Sequence, residues 1–110
     1  MRTWVFLSLA TIPDETLRRE VEAMGGYWVA EMNRGVLQRG ESAIYIDPYP
    51  VDYRSELEAD DVRLLERELG GSPSFAASIG LSHEGDPSVL AEEFGQAMST
   101  KWGGVLRREE

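Results

Sequence analysis

Apolar and polar positions along this chain repeat one pattern three times. An amphipathic stretch runs into a Gly-Gly pair and re-emerges as apolar residues. Residues 17–24 lead through Gly25-Gly26 to Tyr27-Trp28-Val29, and residues 62–69 lead through Gly70-Gly71 to residues 75–79. Residues 94–102 lead through Gly103-Gly104 to Val105-Leu106. A glycine just past the last helical residue takes the left-handed conformation with no Cβ to clash, and so closes the helix. The pattern therefore predicts three helices, each feeding a strand.

The elements between these punctuation marks follow from periodicity. Residues 3–10 are rich in apolar and aromatic side chains and predict a central strand. Thr11 is placed to cap the next helix, with Pro13 in its first turn and Asp14 and Glu15 at its positive end. Leu17, Val21 and Met24 fall at i, i+4 and i+7, one stripe facing a sheet. Residues 27–32 alternate, with Trp28, Ala30 and Met32 on one face; Asn33-Arg34-Gly35 then signals a turn or bulge, through which the strand continues to residue 39. Residues 42–47 predict another strand, ended by Pro48 and Pro50. Residues 49–57 read as an ordered loop. Asp60 and Asp61 open a second helix with Val62, Leu65 and Leu69 inward, and residues 74–81 form the strand after it. Asp86-Pro87-Ser88 starts a third helix with Leu90, Phe94, Ala97, Met98 and Trp102 inward, followed by a short strand at 105–106.

This order is β-α-β twice, then α-β. It predicts a ferredoxin-like α+β sandwich of the split β-α-β type: a four-stranded antiparallel sheet with its helices on one face, plus an extra C-terminal helix and short strand. Right-handed crossovers fix its hand. Residues 1–106 read as a single α+β domain and residues 107–110 as a charged tail.

Composition narrows the chemistry. The 110 residues suffice for a core without staples, and there is no cysteine, which excludes disulfides, thiolate metal sites and thiol nucleophiles. The apolar run at the N-terminus is too short for a signal peptide, and no segment is long enough to span a membrane, so a cytoplasmic protein is expected. Twenty Asp and Glu against eleven Lys and Arg give a formal charge of -9. Such a field repels nucleic-acid backbones and anionic membranes and attracts basic partners. Eight of the acids (Asp47, Asp52, Glu56, Glu58, Asp60, Asp61, Glu66 and Glu68) crowd residues 47–68, against only Arg54, Arg63 and Arg67.

No motif for a reactive centre or cofactor emerges. His83, the single histidine, lies in Ser82-His83-Glu84-Gly85-Asp86, where adjacent carboxylates lack the converging spacing of a zinc or iron site. No serine sits in a nucleophile elbow. The Gly-Gly pairs follow helix C-termini, whereas a phosphate loop needs glycine amides at a helix N-terminus. No metal or cofactor is expected. Tyr45, Tyr49 and Tyr53 beside Asp47, Asp52 and Glu56 form the best candidate surface, because tyrosines give contact area at low entropic cost and carboxylates steer cations.

The stretch from Asp61 to Gly71, together with Lys101-Trp102-Gly103-Gly104-Val105-Leu106, resembles small bacterial proteins of the polymorphic-toxin immunity type. The resemblance implies a cytoplasmic, non-enzymatic inhibitor of one cognate toxin. The acidic balance points the same way. The expected contact is made by Asp47, Tyr49, Asp52, Tyr53, Glu56, Glu58, Asp60 and Asp61 with a basic protein. A second reading stands beside it: a dimeric α+β barrel, binding or transforming a small molecule in apolar pockets lined by Trp4, Phe6, Trp28 and Tyr45, with His83 serving a pocket. A domain of self-assembly alone is a third.

Overall fold

The first strand and helix follow the apolar pattern closely. β1 (Arg2–Ser8) leads to α1 (Asp14–Ala23), β2 (Tyr27–Val29), a 3-10 turn over Ala30–Met32, β3 (Arg34–Arg39) and β4 (Ser42–Tyr49). β5 (Phe75–Leu81), α2 (Pro87–Trp102) and β6 (Val105–Arg107) complete the order. This computed structural model describes residues 2–49, 63 and 66–108. Residues 66–69, just before β5, are helical. Gly25, Gly70 and Gly103, the first glycine of each pair, all have positive φ, as the punctuation requires.

The expected α+β class with an antiparallel sheet is present, and the sheet has six strands in the order β2-β3-β4-β5-β1-β6. The strand expected to run kinked from 27 to 39 is two strands. Asn33 adopts the left-handed conformation (φ 49°) and its N–H donates to the Ala30 carbonyl at 3.2 Å, so the chain reverses there and β3 returns along β2. Asparagine tolerates this region better than most residues. The short C-terminal strand joins the sheet as well, pairing Val5↔Arg107, Phe6↔Leu106 and Leu7↔Val105.

Register sorts the side chains into two faces. Trp4, Phe6, Leu37, Ile44, Ile46, Phe75, Ala77, Ile79 and Leu81 share one buried cluster with Leu17 and Val21 of α1 and Leu90, Ala91, Phe94 and Met98 of α2. Both helices therefore cover the same face. Phe6 anchors it, meeting Phe75 and Phe94 edge-on at 6.4 and 6.2 Å between centroids. Such contacts add about 0.5–1.5 kcal/mol to the burial itself. The opposite face holds Leu7 and Ala76, against which Leu69 packs. The helical residues ending at Leu69 thus lie across the sheet from α1 and α2, not beside α1 as the pattern predicts. β4 and β5 are antiparallel neighbours, so the connection between them is no crossover, and the handedness rule does not assign it a face.

Two local expectations change. Thr11 does not cap α1; Pro13 occupies that position without a side-chain bond, and its carbonyl accepts from the Leu17 N–H at 3.0 Å. Pro48 does not end its strand: β4 runs on to Tyr49, with Pro48↔Ala77 in the β5 register. Pairing with β3 stops at Ile46, so among the described residues Pro48 pairs with β5 alone and its missing N–H removes no bond to β3. Val62 and Leu65, the rest of the expected second stripe, lie outside the described residues.

Candidate functional site

Asp47 is the expected contact residue whose geometry the structure describes most fully. It stands on β4, on the face opposite α1 and α2, and Arg34 of β3 grips it in a bidentate pair: Nε to Oδ1 at 2.7 Å and Nη2 to Oδ2 at 3.0 Å. Each side chain keeps about a third of its surface exposed, at 31% and 33%. The guanidinium also lies over the Tyr45 ring, 5.5 Å from its centroid. The hydrogen bond to Asp47 raises the Arg34 pKa further above its ordinary value, against a smaller opposing effect of burial. A planar fork on a carboxylate is the strongest form of surface ion pair, so this acid is bound within the chain. Tyr49 is the last residue of β4. Asp52, Tyr53, Glu56, Glu58, Asp60 and Asp61 lie outside the described residues.

Arg34 was not legible as a partner for Asp47. In the sequence it belongs to a turn signal, and only the reversal at Asn33 sets it as the first residue of β3, next to β4.

The other ion pairs follow one scheme. On α1, Arg18 meets Glu22 at 3.4 Å and Arg19 meets Glu15 at 3.0 Å. Lys101 of α2 reaches Glu20 of α1 at 2.7 Å. Arg39 of β3 binds Glu93 of α2 at 3.0 Å, and Arg108 binds Glu92 of α2 at 3.1 Å. The Arg39 hydrogen bond holds the Glu93 carboxyl below the usual carboxylate range. Each pair is locally neutral. Exposed Glu31, Glu41, Glu68 and Glu84 make no such pair among the described residues, and neither do Arg2, Arg63 and Arg67.

His83 is exposed in its loop. That loop is tied to the β3–β4 turn: the Asp86 N–H donates to Ser42 Oγ at 2.7 Å, and the Ala43 N–H donates to Ser82 Oγ at 3.0 Å. The residues expected to line one apolar pocket do not share a surface. Trp4 and Phe6 are buried beneath the helices and Trp28 packs partly against the same cluster, whereas Tyr45 points from the other face beside Arg34. Among the described residues no cluster of three His, Asp or Glu is placed to hold a metal ion, and no helix is long and apolar enough to cross a membrane.

No protein-family model, curated protein or solved structure matches this chain.

Proposed function

We propose that this chain is a non-enzymatic, immunity-like inhibitor that binds and neutralises a basic toxin in the cytoplasm through an acidic surface. One observation carries the reading. Arg18, Arg19, Arg34, Arg39, Lys101 and Arg108 are each tied to a carboxylate of the same chain, so these six pairs cancel and the formal charge of -9 is carried by the remaining acids. Exposed Glu31, Glu41, Glu68 and Glu84 belong to this surplus, and the sequence adds the acids Asp52, Glu56, Glu58, Asp60 and Asp61. A field of that sign raises the encounter rate with a cationic partner and disfavours nucleic acid.

The frame suits such a role. Without the β3–β4 hairpin, the remaining strands run β2-β5-β1-β6, and the units β1-α1-β2 and β5-α2-β6 both place their helices on one face. We read this as a ferredoxin-like split β-α-β frame with a hairpin inserted.

The test is a growth rescue. The product of the gene beside this one is expressed in a heterologous bacterial host, with and without this chain. Relief of growth arrest is expected, together with its loss when Asp52, Glu56 and Asp60 are all replaced by lysine. Undiminished rescue by that triple variant, or no complex between the two purified proteins, refutes the reading.

A further inference from the structure

The tryptophan of β1 is buried with its polar atom unserved. Trp4 is 4% exposed, yet its indole N–H has no hydrogen-bond partner among the described residues. A buried indole N–H ordinarily finds an acceptor, and a phenylalanine would fill much of the same core without leaving a donor unpaired. The ring is covered by Arg108, whose guanidinium lies 5.7 Å from its centroid. Register explains the contact: Leu106 pairs with Phe6, and two residues further along the antiparallel strands Arg108 comes level with Trp4. Arg108 is paired there with Glu92 of α2 at 3.1 Å, with both side chains more than half exposed. Ion pairs this exposed contribute little, so the guanidinium is readily displaced.

Arg108 and Glu92 also line an open groove of about 740 Å³ between α2 and β6, together with Val89, Glu93, Gln96 and Leu106. Gly95 lets the helix lie close to the strand there, since a Cβ on it would come within 3.1 Å of Leu106. With Arg108 swung aside, the groove gains the Trp4 ring and a freed carboxylate. An aromatic face beside a carboxylate is a receptor for a cation. We propose that Arg108 holds the place of an arginine from the basic partner, which displaces it over Trp4, pairs with Glu92 and brings a backbone carbonyl to the indole N–H. Guanidinium fits better than ammonium, because it is planar, stacks on a ring and is weakly hydrated. The resident cation is itself an arginine. The proposal rests on the acidic-binder reading for its partner and gives that partner a built contact away from residues 50–61.

The experiment titrates the full 15N-labelled chain and its Arg108→Ala variant, at low salt, with a capped Gly-Arg-Gly peptide, following the indole N–H signals of Trp4, Trp28 and Trp102. Saturable shifts at Trp4 that leave Trp28 unmoved are expected. Removing the resident arginine is expected to tighten binding about fivefold, because the empty site is then the competent state. A citrulline peptide, similar in shape but uncharged, is expected to bind about tenfold more weakly, and a lysine peptide more weakly than arginine. Glu92→Gln in the Arg108→Ala background is expected to cost about threefold. No saturable shift at Trp4 in Arg108→Ala overturns the site, and so does equal binding of the citrulline or lysine peptide. Concentration-dependent shifts at Trp4 without peptide assign the groove to a second copy of this chain and overturn it as well. The peptide needs no cognate partner, so its failure beside an intact growth rescue removes this site alone. Arginine-selective binding at Trp4 with no partner complex removes the acidic-binder reading and leaves the site standing.

Discussion

Lys101 Nζ lies 2.7 Å from Glu20 Oε1, joining the last turn of α2 to α1 across 81 positions of sequence. The two partners are not equivalent: the Glu20 side chain is 14% exposed and that of Lys101 54%. Removing the lysine strands a mostly buried carboxylate, whereas removing the carboxylate leaves a lysine that reaches water. Lys101→Met is therefore expected to destabilise the fold by about 1–3 kcal/mol, and Glu20→Gln by less. Urea unfolding of both variants and the double variant measures the asymmetry and the coupling.

The two glycines of the first pair do different work, and substitution separates them. Gly25 has φ +90° with open space around it, so Gly25→Ala meets only backbone strain, about 1–2 kcal/mol. At Gly26 a Cβ would come within 2.4 Å of the Val36 carbonyl oxygen and 2.8 Å of Val21. The backbone of β3 must move to admit it. Gly26→Ala is expected to cost about 3 kcal/mol or more, and thermal melts that rank Gly25→Ala as the worse variant contradict this account.

Arg34 and Asp47 are expected to be coupled by about 0.5–1.5 kcal/mol in a double-mutant cycle, the range for a partly exposed bidentate pair. Arg34→Gln also frees a carboxylate on an already acidic surface. If partner binding is electrostatic, this variant loses stability yet binds a basic protein as tightly as before or more so. Calorimetry of the complex at two salt concentrations tests both halves.

Arg39 sets the titration of Glu93. The folded-state pKa of Glu93 is depressed, so the stability from this pair is complete above the ordinary glutamate range and is lost as pH falls through the lowered value. In Arg39→Gln the Glu93 carboxyl should titrate higher, near an ordinary glutamate. Carbon-detected NMR titration of the two proteins follows that midpoint directly.

Much of the fold was legible because the signals are local. Gly25, Gly70 and Gly103 mark chain reversals by a conformation that glycine adopts most readily, and the stripes of α1 and α2 put Leu17, Val21, Leu90, Phe94 and Met98 in the core as their spacing predicts. What failed depends on which strands become neighbours. Asn33 reads as a bulge or a reversal until β3 is seen to pair with β2. Pro48 reads as a terminator until β3 is known to stop short of it. The side of the sheet that Leu69 takes was not readable from the crossover rule, because β4 pairs antiparallel with β5. The acidic run was legible in the sequence, but the grip of Arg34 on Asp47 was not, because 13 residues and that same reversal separate them.

The pairing of Val5 with Arg107 also bears on how the molecule is made. During synthesis β1 leaves the ribosome roughly a hundred residues before the strand that covers its outer side. Until then an aromatic-rich ribbon can pair with β5 on one side only. Closing so long a loop slows folding more than it weakens the finished state. Point changes within β6 should accordingly show up first as lower yield and chaperone dependence in the cell.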